Sequence, residues 1–136
     1  MSEYQPGVCN IGPPEIARRR RAGHVAAVAA AGLAAGLIAV RAPRVTRLIV
    51  ALPAASAASG YLQARHRFCA GFGSRGVVNF GPVGEVTEVV DPQAHALDVA
   101  TSRRIGLQSL AIGLAAAGVA VAAPPWSAAS SPRPAG

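Results

Sequence analysis

The 136-residue chain contains no lysine, only three phenylalanines, two tyrosines and one tryptophan, one methionine and two cysteines, and just 14% of its residues are charged. Each scarcity removes a class of protein. With so few large side chains, a water-soluble core of this size would stay underfilled. The 51% apolar fraction is carried largely by 31 alanines, with 15 glycines beside them. A soluble globular enzyme therefore does not fit, and the length allows one domain at most. No serine, histidine and acid are arranged as a nucleophile, and no Asp or Glu lies inside a long apolar run. An intramembrane proton or ion path of the usual kind is thus missing.

What the chain does have is arginine, which supplies all 13 basic residues other than histidine and gives a net charge of +7 and a pI near 11.3. The arginines stand at the ends of apolar runs. Arg18, Arg19, Arg20 and Arg21 directly precede the uncharged residues 22–40, a length of about 28 Å as a helix and close to a bilayer's hydrocarbon thickness. A second run covers 45–62, with Thr46 and Arg47 at its entrance and Pro53 inside it. There Arg47 is expected to reach for the headgroups, and the proline is tolerated where neighbours satisfy the freed carbonyl. A third run covers 105–123, opened by Arg103 and Arg104 and broken in polarity only by Gln108 and Ser109.

The expected fold is an all-α membrane protein of three transmembrane helices, with a short β-hairpin-like cytoplasmic segment between the second and third. Residues 1–21 form a cytoplasmic arm, 22–123 the membrane domain, including the cytoplasmic segment 63–104, and 124–136 a disordered tail. A cleaved secretory signal also begins with arginines and an apolar run. Here the run is too long and no small-residue cleavage site follows, while Ala22-Gly23-His24 does not continue a twin-arginine pattern. Nor does the basic patch read as a nucleic-acid footprint, because the arginines cap spans. Arg18, Arg19, Arg20, Arg21, Arg103, Arg104 and Trp126 are read as membrane anchors, and no nucleic-acid partner is expected. Nine arginines flank the N-terminal side against four on the other, which puts the N-terminus in the cytoplasm and the C-terminus outside.

Pro43, in Arg41-Ala42-Pro43-Arg44, forbids one continuous helix and forces the first two spans into a tight antiparallel hairpin. Small residues recur where helices would touch: Gly32 and Gly36, Ser56 and Gly60, Ser109 and Gly113. They suit packing within the chain or self-association. In the mid-chain segment, Gly71-Phe72-Gly73-Ser74-Arg75-Gly76 spells GxGxxG, but it lacks the βαβ setting that nucleotide binding requires. Val77 to Phe80, a Gly-Pro-Val-Gly turn and Val86 to Val90 read as a hairpin, which must lean on the membrane, the arm or a partner. Asp91 and Pro92 then start a helix that continues into the third span.

Few residues could carry chemistry. Cys9 and Cys69 share a membrane face in this topology. With His66 they offer thiolate and imidazole ligands for zinc or copper, or a redox pair, although no CxxC spacing supports it. The alternative is two cysteines that simply pack in a reducing compartment. His24 reads as an interfacial residue, and His95 and Asp98, one turn apart, could pair.

At Val8-Cys9-Asn10-Ile11-Gly12-Pro13-Pro14-Glu15-Ile16 and again at Arg67-Phe68-Cys69-Ala70-Gly71-Phe72-Gly73 the chain resembles small uncharacterised bacterial integral-membrane proteins. These carry a cysteine arm before the first span and a Phe-Cys element after another. The resemblance implies no activity. The alanine-rich, lysine-free composition looks like that of a high-GC bacterium such as an actinobacterium, which implies the plasma membrane. The leading expectation is a non-enzymatic accessory or scaffold subunit of a larger membrane assembly, with lipid and other membrane subunits or further copies as partners. The runner-up is a thiol-based redox or metal-binding membrane protein using Cys9 and Cys69.

Overall fold

Prolines set the start of both long helices, because a proline in the first turn lacks an N–H that would have no partner there. In the computed structural model, which describes residues 3–124, helix α1 runs Pro13–Ala39 after Gly12. The last helix, α4, runs Pro92–Ala122 without a break, and Asp91 caps it by accepting a 2.9 Å hydrogen bond from Gln93 N. Between them lie a 3-10 turn at Thr46–Val50, helix α2 at Ala51–His66 and helix α3 at Ala70–Arg75. Strands β1 at Val77–Val78 and β2 at Thr87–Glu88 are antiparallel, with Val77 opposite Glu88. The chain is thus mostly helical with one small hairpin. Trp126 and nearly all of the expected tail fall outside the described residues.

α1 and α4 are long and apolar enough to cross a membrane, with mean hydropathies of 1.8 and 1.9 over their most apolar stretches. The apolar run 45–62 is a different case. It divides into the 3-10 turn and the 16-residue α2, shorter than the ~20 residues a span by itself needs. Pro53 sits in the first turn of α2, where a missing N–H costs nothing, rather than kinking a span. Helix α2 packs on both α1 and α4 and so forms the middle of the bundle.

Arg47 departs most clearly from expectation. Instead of reaching outward it is 5% exposed. Its guanidinium donates to Ala120 O at 3.2 Å, Ala123 O at 2.9 Å and Ala42 O at 3.2 Å. The last carbonyls of α4 have no helical partner and carry the negative end of the helix dipole, which explains the preference.

Helix crossings sit at single glycines. A Cβ on Gly60 would lie 2.7 Å from Gly23 N, and one on Gly113 would lie 2.7 Å from Ala51 O, so α1 on α2 and α2 on α4 approach backbone to backbone. The seam of α4 that faces inward is Asp98, Ser102, Ile105, Ser109, Gly113 and Ala117, three or four residues apart. Ser109 is buried there and donates to Ile105 O, whereas Ser56 is exposed and bonds Leu52 O of its own helix. Gly32 and Gly36, expected as packing residues, face open space, because the partner of α1 lies against another face of the helix. Substituting Gly60 or Gly113 by Ala should therefore destabilise the protein in detergent by about 1–3 kcal/mol through overpacking. Gly32→Ala and Gly36→Ala should leave the melting temperature unchanged or slightly raised. Equal effects at all four positions would contradict these crossings.

Candidate functional site

Between α2 and α3 the chain turns sharply: Arg67 takes a left-handed conformation with φ 52° and Cys69 is extended, so the peptide groups of 67–69 lie outside any helix. The amides of Arg67 and Phe68 bond back to α2 and Cys69 O accepts from Gly73 N at 2.9 Å, while the arm, residues 4–12, supplies partners for Arg67 O and Cys69 N and a second donor for Cys69 O. Asn10, with no exposed surface, donates from its side-chain amide to Cys69 O at 3.1 Å and accepts from Cys69 N at 2.6 Å. Its backbone N–H donates to Arg67 O at 3.1 Å, and its carbonyl accepts from Asn79 N at 3.0 Å. Ile11 and Asn79 form a parallel bridge, so the arm flanks the hairpin. The hairpin leans on the arm, one of the supports expected for it.

A second buried amide, Asn79, shapes the loop beyond β1. Its side-chain oxygen accepts from Gly81 N at 2.9 Å, and its nitrogen donates to Pro82 O at 2.8 Å and Glu15 Oε1 at 3.3 Å. Glu15, with no exposed surface, has its other oxygen 3.6 Å from Arg18 and 3.5 Å from Arg19. Spacings of three and four along α1 bring these groups to one face. Arg19 thus turns inward instead of anchoring in lipid. It donates to the Cys69 sulfur at 2.9 Å, and its charge lies 5.7 Å from the centre of the Phe72 ring. Arg18, Arg20, Arg21, Arg103 and Arg104 are exposed.

At the N-terminal end of α4, opposite the Arg47 cap, buried Asp98 clasps the start of the arm. It accepts from the Tyr4 hydroxyl at 2.6 Å and from Gly7 N at 2.7 Å, while Thr101 donates to Gly7 O at 2.6 Å. His95 turns away to Ser74 O at 3.2 Å, and Asp98 is taken up by Tyr4 and Gly7, so the two do not pair. The GxGxxG segment is helix α3 closed by left-handed Gly76, a packing unit against α4.

The expected metal ligands are not assembled. Among the described residues no group of three or more His, Cys, Asp or Glu side chains could hold an ion. Both cysteines are free and buried. The Cys9 thiol donates to Ile11 O at 3.7 Å, Cys69 faces the Arg19 guanidinium, and His66 borders a different hollow beside Val8 and Arg104. A cation meeting Cys69 would meet a fixed positive charge. Asn10, Asn79 and Tyr4 gave no signal in the periodicity, because a buried polar residue looks like a loop residue until its partner is known.

Burial foremost, then the hydrogen bond to Asp98 and the negative charges of Asp98 and Asp91, push the Tyr4 hydroxyl well above its ordinary 10.0. A raised value means the fold favours the neutral hydroxyl. The contribution to arm docking is complete below pH 10.0 and is lost as the pH climbs beyond it toward the folded value. Titrating tyrosinate absorbance should reveal a late-ionising hydroxyl that disappears in Tyr4→Phe. Asp98→Ala should weaken arm docking by about 1–3 kcal/mol, since Gly7 N and the tyrosine lose their acceptor, seen as faster limited proteolysis of the arm at neutral pH. An unchanged cleavage rate would rule out the clasp.

Comparison with protein-family models, with curated proteins and with solved structures finds no match.

Proposed function

We propose that the chain is a small non-enzymatic integral membrane protein of the bacterial plasma membrane, acting as an accessory or scaffold subunit of a larger assembly. Its N-terminus and polar cap face the cytoplasm. The observation that carries this reading is the bare apolar surface of the long helices. Only 6% of the most apolar window of α1 is buried, and 28% of that of α4. Val25, Val28, Leu107, Leu114 and Val119 are each more than half exposed. A core helix of a soluble protein would be covered, whereas lipid leaves such a surface without penalty.

Two further points support the finer details. α1 is tied into the fold at its base through Glu15, Arg19 and the Gly23 to Gly60 crossing, which favours a retained anchor over a removable signal. Thr46–Val50 and α2 are packed against both candidate spans, so a slab that holds those two would hold the middle helix as well, which supports the reading of three crossings. The side chains of Asn10 and Asp98 hold the arm, while those of Asn79 and Glu15 tie the loop beyond β1 to the start of α1. That favours a structural cap with a contact surface over an active site.

An impermeant maleimide applied to intact cells should label Pro43→Cys but leave Val83→Cys and the wild-type chain, whose thiols are buried, unlabelled. Labelling of both variants would overturn the three-span orientation. Extraction in mild detergent should bring down a companion chain, and a lone monomer would sink the subunit reading. Cys9→Ser and Cys69→Ser should leave that assembly intact. Loss of bound zinc or copper in either would instead favour thiol chemistry.

A further inference from the structure

The arm, the segment from β1 to β2 and the first turn of α4 enclose a cavity of about 580 Å³ on the cap. Pro6, Val78, Phe80 and Val89 contribute apolar walls, and Tyr4 lines it too. This size lies in the range of ordinary binding pockets. Glu85, Glu88 and Asp91 also line it, and no arginine or histidine does. That distribution is unusual in this chain, which has 13 arginines against six acids. Glu15 and Asp98 are buried, so three of the four exposed carboxylate residues line one cavity. Among the described residues neither Glu85 nor Glu88 has an ion-pair partner.

Apolar surface continues past the cavity mouth. Val83, 49% exposed, and Val86, 52%, lie outside the lining, and Val90, 91% exposed, belongs to the lining itself, all of them close to those acids in sequence. A small organic cation would fill the cavity and leave Val83 and Val86 wet. A polypeptide segment could cover both. The sign of the charge disfavours nucleic acid and anionic headgroups alike.

We propose that this groove docks an extended segment of a partner protein, rich in arginine or lysine with aliphatic residues between them. Guanidinium groups would meet the carboxylates in paired hydrogen bonds, and the aliphatic positions together with the side-chain stems would lie on the valines. The inference deepens the reading of the cap as a contact surface and rests on it.

The test uses the full chain in phosphatidylcholine nanodiscs, which carry no net charge. The probe is a labelled short peptide alternating arginine and valine. Saturable binding is expected, weakened about tenfold by Glu85→Gln with Glu88→Gln. Val86→Ser with Val90→Ser, substitutions at exposed positions that leave the fold intact, should also weaken it. A glutamate and valine peptide should neither bind nor compete. Binding indifferent to the glutamate pair would overturn the proposal, as would equal competition by free arginine amide, the mark of a small-cation pocket. Self-association of the chain abolished by the same glutamate pair would assign the groove to a second copy and also overturn it. The two readings fail separately. Absent peptide binding with the expected maleimide pattern removes only the groove, whereas reversed labelling with intact binding removes only the orientation.

Discussion

A single buried amide, that of Asn10, closes two hydrogen bonds on the backbone of Cys69, a residue 59 positions further along the chain. The turn between α2 and α3 exposes peptide groups that a helix would have satisfied internally, and in a buried setting each orphan costs about 1–3 kcal/mol. Asn10 removes that cost for Cys69 N, the Cys69 carbonyl already having Gly73 N, and in doing so fixes the register of the arm. Once Asn10 is placed, Ile11 falls against Cys69 and Phe72, the backbone of Asn79 pairs with the arm, and Glu15 arrives beneath Asn79. The hairpin has only two residues per strand and could not persist without that flank.

The molecule joins two regions with opposite solvent requirements. Its helices present alanine, glycine and valine outward and touch one another through points where no side chain fits, as at Gly60 and Gly113. Such contacts are close but bury little area, so they define geometry more than they supply energy. The cap works differently: its specificity comes from directional hydrogen bonds and from the charges of Glu15, Arg19 and Asp98 held inside it. Arg47 at the far end does a similar service for the helix bundle, joining the 3-10 turn to the end of α4.

Much of the architecture was legible because it rests on local rules. Charge-free stretches gave the two long helices, Asp91 with Pro92 gave the start of α4, and a Gly-Pro-Val-Gly turn between β-branched runs gave the hairpin. What escaped was whatever depended on partners distant in sequence. Arginines at run ends look alike, yet Arg18 is exposed while Arg19, one residue later, points at a carboxylate and a thiol because four-residue spacing aligns it with Glu15. Small residues four apart look alike too, yet Gly60 lies at a crossing and Gly36 does not, since only the rotation of each helix about its axis decides. The cysteines share the cap as expected, but the arm residue that meets Cys69 is their polar neighbour Asn10.

The order of synthesis gives the arm a particular place in the life of the chain. Its residues leave the ribosome before the groups they grip, which are 59 to 94 residues downstream. Tyr4, Gly7 and Asn10 therefore stay bonded to water until Asp98 and Cys69 have been translated. The cap shuts only after the mid-chain turn and the start of the last helix have been made, so a docked arm reports that the chain has been synthesised through Asp98.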